Sequence, residues 1–567
     1  MKINSLYTKE GESNSSPSAV YPRPTMKRQS FFSLDGEWDF FVGESAPSEY
    51  NEKIIVPFCP ESLLSRVHRS IEKGQSLFYK KSFALPDNFV RDRVILHFGA
   101  VDCVCTLTLN GHKIGSHAGG YHSFCFDVTD ALCERENTLC VCVEDELNGD
   151  YPYGKQKRKR GGMWYTPVSG IWQSVWMESV CEHYVKSLKI DTDASSATIY
   201  ADTKSDGEVI VKTPNGEMCV PLIDGKAGVN IENPVAWSPE NPYLYEFTIK
   251  AGEDEIESYF ALRTLEVKEV DGYKRLCLNG KPYYFHALLD QGYFSDGIYT
   301  PASAECYKND IEYAKRMGFN TLRKHIKIEP EIFYYYCDKL GMVVFQDMVN
   351  NGNYSFVRDT ALPTVGLQSF AVGKRANPKK KAREIFLREM KETVRQLYNH
   401  PCVCYWTVFN EGWGQFDADR MYTALRQLDT TRFIDTASGW FRAKNSDVES
   451  LHVYFKKIRL KKSQKPVVLS EVGGYSYKIP EHSFNMTKTY GYGKFSDGEE
   501  FHSAVERLYE EQIIPAIERG LCADVYTQLS DVEDETNGMY TYDRKVEKAD
   551  ANRMKAIADK LYKAFYN

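Results

Sequence analysis

Two glutamates carry the first hint of chemistry in this sequence. Glu411 follows the apolar run Val403-Cys404-Tyr405-Trp406-Thr407-Val408-Phe409-Asn410, and Glu471 follows Pro466-Val467-Val468-Leu469-Ser470. Each run reads as a buried parallel strand that hands one carboxylate to a glycine-bearing loop, Gly412-Trp413-Gly414 in the first case and Gly473-Gly474 in the second. A matched pair of carboxylates suits glycoside cleavage. That reaction passes through an oxocarbenium-like state, and a retaining enzyme needs one carboxyl to protonate the leaving oxygen and another, roughly 5 to 5.5 Å away, to attack the anomeric carbon. Like charges so close push one pKa up and leave the other group ionised, which is what the two roles require. Taken singly, each glutamate reads equally well as an ion-pair partner of a basic residue; their matching context favours catalysis.

Strands must hold such groups, and the sequence supplies them in three styles. From Ser33 to about Glu178, short alternating runs are separated by turn signals such as Leu85-Pro86-Asp87-Asn88 and Asn110-Gly111, the pattern of an antiparallel sandwich. From about Ser179 to Glu266 the alternation resumes at a length that suits an immunoglobulin-like sandwich and carries no cluster of titratable groups. After Leu278-Asn279-Gly280-Lys281-Pro282 the rhythm changes to apolar strands alternating with helical stretches. The strands are expected at 283–288, 319–322, 342–345, 403–409, 432–435, 450–453, 467–469 and 524–528, which makes a barrel of eight strand-helix units. The expected architecture is multidomain: a jelly-roll β-sandwich with an N-terminal arm over residues 1–178, an immunoglobulin-like β-sandwich over 179–266, and a catalytic (β/α)8 TIM barrel over 267–567.

The strand ends then define a rim: Asp290 and Gln291, Arg323 and His325, Asp347 with Asn350 and Asn351, Asn410 and Glu411, Ser438 and Trp440, His452 and Tyr454, Glu471, and Gln528 with Asp531. A barrel serving only as scaffold has little reason to end nearly every strand in a polar group. Arg323 is placed to hold the attacking carboxylate ionised through a bidentate contact, and Tyr454 to donate to it; ordinary rim packing is the other reading of both. Asn410 suits a sugar 2-hydroxyl, although an N-cap is the commoner use of Asn. Trp413 and Trp440 offer stacking faces or plain packing. His325 and His452 lack metal-type spacing and read as hydrogen-bonding groups, with Asp290, Gln291 and Gln528 as further substrate contacts. Residues 349–378 form a connection long enough to be a lid. The basic run from Lys155 to Arg160 reads as a solvated loop, or in a sharper reading as a contact for an acidic substituent.

Composition limits the alternatives. A formal net charge of -7 argues against a general nucleic-acid binder, which needs a basic face. Fifteen cysteines without zinc-type spacing read as reduced core residues. The first residues lack a secretory apolar segment and no apolar run reaches about 18 residues, so a cytoplasmic protein without membrane partners is expected. Association into a homo-oligomer is left open.

These motifs resemble glycoside hydrolase family 2, the group of β-galactosidases, β-glucuronidases and β-mannosidases. Gly318-Phe-Asn-Thr-Leu-Arg323-Lys-His325 is similar to the family's second-strand signature, Phe409-Asn410-Glu411-Gly-Trp413 to its acid/base signature, and Ser470-Glu471-Val-Gly-Gly474 to its nucleophile strand. The resemblance implies the same three-part order of domains, Glu411 as acid/base, Glu471 as nucleophile, and net retention. It also bears on the sugar. The Asn-x-Lys element that binds the carboxylate in β-glucuronidases corresponds to Asp534-Glu535-Thr536-Asn537-Gly538, without the lysine. The aspartate that precedes Met-Trp in many β-galactosidases is Gly162 here. Asn350-Asn351-Gly352-Asn353 stands where those enzymes carry metal ligands, so no magnesium or other cofactor is expected. The reading is an exo-acting β-glycosidase on a terminal sugar, galactose first and a uronic acid second. A carbohydrate-binding protein that has lost activity and an endo-acting hydrolase are the other readings.

Overall fold

The computed structural model describes residues 3–13, 20–364, 376–454 and 456–567. The first sandwich packs a six-stranded sheet against a four-stranded one. In the larger sheet, Asn137–Glu144 pairs antiparallel with both Ser76–Phe83 and Val104–Leu109. Its sequence alternation becomes alternation of environment: Asn137, Leu139, Val141 and Val143 are buried and the residues between them are not. The second sandwich sets Leu188–Thr192, Ser196–Ala201 and Lys226–Asn230 against a four-stranded sheet centred on Gly207–Thr213 and Tyr245–Ala251. Each sandwich has its own apolar core, whereas the core of the C-terminal part also takes in Trp172 and Trp237.

The C-terminal part is a parallel barrel. Its strands are β1 (Phe285–Asp290), β2 (Thr321–Lys324), β3 (Val343–Asp347), β4 (Val403–Thr407), β5 (Phe433–Asp435), β6 (Glu449–Val453), β7 (Val467–Val472) and β8 (Leu521–Tyr526). The ladder runs β5-β4-β3-β2-β1-β8-β7-β6. The β5–β6 seam is bridged by side chains: Ser450 Oγ donates to Asp435 at 2.9 Å and the Ile434 amide donates to Asp447 at 2.8 Å. All residues of β1, β2, β3, β4, β5, β7 and β8 are buried, as near-continuous apolar runs require when both faces are covered.

Helices close the outside where the sequence announces them. Glu331–Leu340 starts after Pro330, and its chain turns away at Gly341 with φ 72°. Lys380–Leu397 buries Ala382, Phe386, Met390, Val394 and Leu397 on one face, each large side chain adding about 1.5–3 kcal/mol relative to exposure. Three expectations need correction. β1 and β2 begin two residues later than their apolar runs suggest, because Tyr283, Tyr284 and Phe319 are buried without joining the ladder, and β8 begins at Leu521, before Asp524, and ends at Tyr526, where the rim residues leave the ladder. The alternation of strand and helix lapses after β5 and β6, whose connections hold no helix among the described residues. Cys125, Cys133 and Cys219 are exposed, although all fifteen cysteines are free thiols as expected.

The N-terminal arm is tied to the barrel: the Thr8 amide and hydroxyl both donate to Asp296, at 2.8 and 2.6 Å. Of the connection read as a lid, residues 365–375 lie outside the described residues; its first part carries the turns Val357–Ala361 and Leu362–Thr364.

Candidate active site

Arg323 is the hub. It lies inside β2, and alternation along that strand sends it into the barrel while its neighbour Lys324 points to the helix layer. Its fork donates to both oxygens of Asp347 at 3.0 Å, to the Ser470 carbonyl at 2.8 Å, to Glu471 Oε1 at 3.1 Å and to Asn410 Oδ1 at 2.9 Å. Strands β2, β3 and β7 and the β4 loop are thus fastened to one planar cation, a geometry that lysine cannot reproduce.

Glu471 sits in β7 with both oxygens engaged, Oε1 by Arg323 and Oε2 by the Tyr454 hydroxyl. Burial works to raise its pKa, but His452, Arg323 and the Tyr454 hydroxyl outweigh it and hold the carboxyl below the ordinary carboxylate value. Burial and the nearby carboxylates keep Tyr454 protonated as a donor, and Tyr492 stacks on it at 4.2 Å. Glu411 leaves β4 with a left-handed backbone, φ 49°, unusual for a residue with a β-carbon. Its amide donates to the Ser438 carbonyl beyond β5, so the strain is held by the neighbouring strand end. Glu411 Oε1 lies 2.8 Å from His452 Nδ1 and 3.4 Å from the Tyr454 hydroxyl. One oxygen of Glu411, one of Glu471 and a His452 nitrogen all lie within 4.8 Å of one another. Among the described residues this is also the only His/Cys/Asp/Glu group close enough to share an ion; its facing atoms are already engaged by Arg323, Tyr454 and each other.

Around this pair several buried polar atoms have no hydrogen-bond partner: Asn410 Nδ2, both ring nitrogens of His325, and Trp413 Nε1. Such orphans cost about 1–3 kcal/mol each and ask for a ligand. Burial first, then Lys155 and Arg323, drive His325 well below the ordinary imidazole value, so it is neutral and offers one donor and one acceptor. Trp413 stacks on Trp164 of the first sandwich at 5.4 Å, with Tyr354 edge-on to both. Gly414 permits this loop to close, since a β-carbon there would lie 2.0 Å from the Asn351 carbonyl oxygen.

Other expected contacts fall differently. Gln291 and Gln528 reach the mouth together, the first donating to the second at 2.8 Å, while Gln528 donates to Glu535 and Asn537. Trp440 lies beside His452, 6.4 Å between rings. Asp290 turns away from the mouth: it accepts from Lys324 at 2.5 Å, whose ammonium lies over Phe333 in the helix layer. The physical reason is parity, since Asp290 and Lys324 end adjacent parallel strands on the outward side. Lys155 was read as part of a solvated loop, yet only 7% of it is exposed. Its ammonium is 3.8 Å from Glu535 and over the Tyr165 ring. Residues 157–159 are exposed, as a solvated loop requires, although Lys157 covers Trp164; Arg160 is half-buried and pairs with Glu533. Sequence reasoning missed Lys155 and Glu535 as a pair because its two halves come from different domains.

The chain's matches to known proteins follow this layout. Residues 268–560 match the domain described as "Glycosyl hydrolases family 2, TIM barrel domain", residues 58–173 the "Glycosyl hydrolase 2 galactose-binding domain-like" domain, and residues 182–263 "Glycosyl hydrolases family 2". The chain belongs to glycosyl hydrolase family 2. It is 25% identical over 386 residues to a β-galactosidase of Thermoanaerobacter pseudethanolicus, covering 63% of this chain and 47% of that protein. It is 25% identical over 386 residues to a putative β-glucuronidase of Formosa agariphila, covering 62% of this chain and 42% of that one. The chain thus aligns with less than half the length of these two relatives. The β-D-glucuronidase of Dictyoglomus thermophilum has the same fold, with a TM-score of 0.74 at 18% identity over 95% of this chain and 98% of that one. Among the described residues no helix is long and apolar enough to cross a membrane.

The hub predicts a specific defect. Arg323→Lys keeps a charge but cannot serve Asp347, Asn410 and Glu471 together, so kcat/KM is expected to fall by about 100-fold. Arg323 is one of the groups holding the Glu471 pKa down; weakening its hold raises that pKa. The acidic limb of the pH profile is therefore expected to move to higher pH, and an unmoved limb would refute Arg323 as the group that keeps Glu471 ionised.

Proposed function

We propose that this chain is a retaining, exo-acting β-glycosidase that removes a terminal sugar by double displacement. The observation that carries the reading is the pair Glu411 and Glu471, presented from β4 and β7 with one oxygen of each within 4.8 Å of the other and both in reach of the Tyr454 hydroxyl, an arrangement that suits the short carboxyl separation of a retaining pair. Glu471, kept ionised by Arg323 and His452, attacks the anomeric carbon. Glu411 protonates the departing oxygen and then, as a carboxylate, takes a proton from the water that releases the sugar. Asn410 Nδ2 and the ring nitrogens of His325, none of which has a hydrogen-bond partner, are suited to sugar hydroxyls, the first to the 2-hydroxyl, where a bond strengthens in the transition state.

The glycone we favour is neutral, with β-galactosides first. Besides Arg323, the buried cation whose charge reaches Glu471 and His325 is Lys155, which is already faced by Glu535, and Asn537 stands without an adjacent lysine. The galactosidase named among the relatives supports the same choice. A second reading, a β-hexuronidase, is favoured by the burial of Lys155, whose ammonium has its nearest carboxylate oxygen as far as 3.8 Å away and so has donors to spare. The free thiols suit a reducing, cytoplasmic setting.

The test is a panel of aryl β-galactoside, glucuronide, galacturonide, mannoside and arabinoside, with the first-formed anomer read by proton NMR. The expected result is release from the galactoside with the β-anomer appearing first. Preference for a uronide would select the second reading; an α-anomer would overturn retention; activity on polymers alone would mark an endo-acting enzyme; and no release from any glycoside would leave a binding protein.

A further inference from the structure

We propose that His452 is a positioning residue that shares a proton with Glu411, so that the proton given to the leaving group belongs to a histidine–glutamate pair and not to a lone carboxyl. The proposal rests on the reading of Glu411 as acid/base. Its basis is the direction of a short hydrogen-bond chain. The Ser470 hydroxyl donates to the Leu451 carbonyl at 3.5 Å, and the Ser438 hydroxyl donates to Ser470 Oγ at 2.9 Å. Ser438 has then spent its only proton, and its oxygen can only accept from His452 Nε2, 3.2 Å away. With hydrogen assigned to Nε2, a neutral ring has a bare Nδ1. A bare nitrogen 2.8 Å from an ionised carboxylate oxygen repels it, so this contact is bonding only if a proton lies between Nδ1 and Glu411 Oε1.

The ring cannot escape this arrangement. Its side chain is fully buried, and a β-carbon at Gly439, where φ is +94°, would lie 2.8 Å from Nδ1. The charged and titratable groups around it are Glu411 at Nδ1, Glu471 Oε1 at 3.6 Å from Nε2, and Tyr454 with ring centres 6.0 Å apart. Asp435 at the end of β5 and His325 beyond β2 also lie within its electrostatic reach, and Arg323 is attached through Glu471. In the first half-reaction the bond from the anomeric carbon to the leaving oxygen breaks, its electron pair stays on that oxygen, and the oxygen takes the pair's proton. In the second, the water oxygen bonds to the anomeric carbon as the bond from that carbon to Glu471 breaks and its electron pair returns to the Glu471 carboxylate, and the histidine–glutamate pair regains its proton from that water.

In His452→Asn the amide nitrogen that replaces Nδ1 can only donate, which favours ionised Glu411. The alkaline limb of kcat/KM is expected to move down by about one pH unit or more, and the loss of activity to be about 100-fold for a poor aryl leaving group but small for a dinitrophenyl one. Equal losses for both substrates with an unmoved limb would overturn the proposal. If the variant does not fold, nitrogen-15 histidine NMR of the native protein decides, with the His452 signals assigned through their response to Gly439→Ala. Hydrogen on Nε2 throughout the active pH range is expected, and a neutral ring protonated only at Nδ1 would overturn the proposal. Undiminished activity of Glu411→Ala on poor leaving groups would instead refute the role of Glu411 itself.

Discussion

Glu471→Gln is expected to abolish turnover, with kcat lowered by at least ~10,000-fold, or about 5.5 kcal/mol at 1.36 kcal/mol per decade. The amide has nearly the size of the carboxylate, so the cavity is unchanged, but it is a poor nucleophile and carries no charge for the oxocarbenium-like state. Its neighbours sharpen the effect. Arg323 would lose one of its carboxylate partners, and the Tyr454 hydroxyl would face an amide in place of an oxygen anion. Substrate binding is expected to survive, because Asn410, His325 and the Trp164–Trp413 stack are untouched. Equilibrium binding of an unhydrolysed glycoside together with the rate measurement checks this. Residual turnover above about 1% of the native rate, in protein free of deamidated glutamine, would argue against Glu471 as nucleophile.

Glu411→Ala is expected to show the second signature, a loss that depends on the leaving group. For poor leaving groups the proton is essential, and kcat/KM is expected to fall by about 1,000- to 10,000-fold. For a dinitrophenyl glycoside the leaving group needs no proton, so the first step is spared while the second lacks its base. The covalent intermediate then accumulates, and kcat and KM fall together. Azide requires no deprotonation and fits the space vacated by the carboxylate; it is expected to restore kcat and to yield the β-glycosyl azide. An equal loss with all leaving groups and no effect of azide would remove Glu411 from the proton-transfer role.

The parts of this site that could be read from sequence are those whose partner is the strand they end. Asn410-Glu411 and Ser470-Glu471 each terminate an apolar run, and in a parallel barrel that alone brings them to one mouth. Arg323 was legible for the same reason. Asp290 was misread because a strand end fixes the level of a side chain but not its face, and one step of parity sends Asp290 to Lys324. Lys155 escaped because Lys155-Gln156-Lys157-Arg158-Lys159-Arg160 looks like a solvated run; its burial is created by Glu535 and Tyr165, one of them in another domain. His452 was legible as a rim residue, but not its work, since Glu411 and Ser438 reach it from other strand ends. The boundaries of β1, β2 and β8 slipped because hydrophobic runs extend beyond, or stop short of, the hydrogen-bonded ladder.

Double displacement through Glu471 requires a covalent intermediate. Incubation with 2-deoxy-2-fluoro β-glycosides carrying a good leaving group, galactosyl and glucuronyl in parallel, followed by intact mass and peptide mapping, reads it in one experiment. The predicted result is one sugar per chain, attached to Glu471 and absent from Glu471→Gln. A label on any other residue, or steady hydrolysis of native substrate with no label from the matching fluoro-sugar, would contradict double displacement through Glu471.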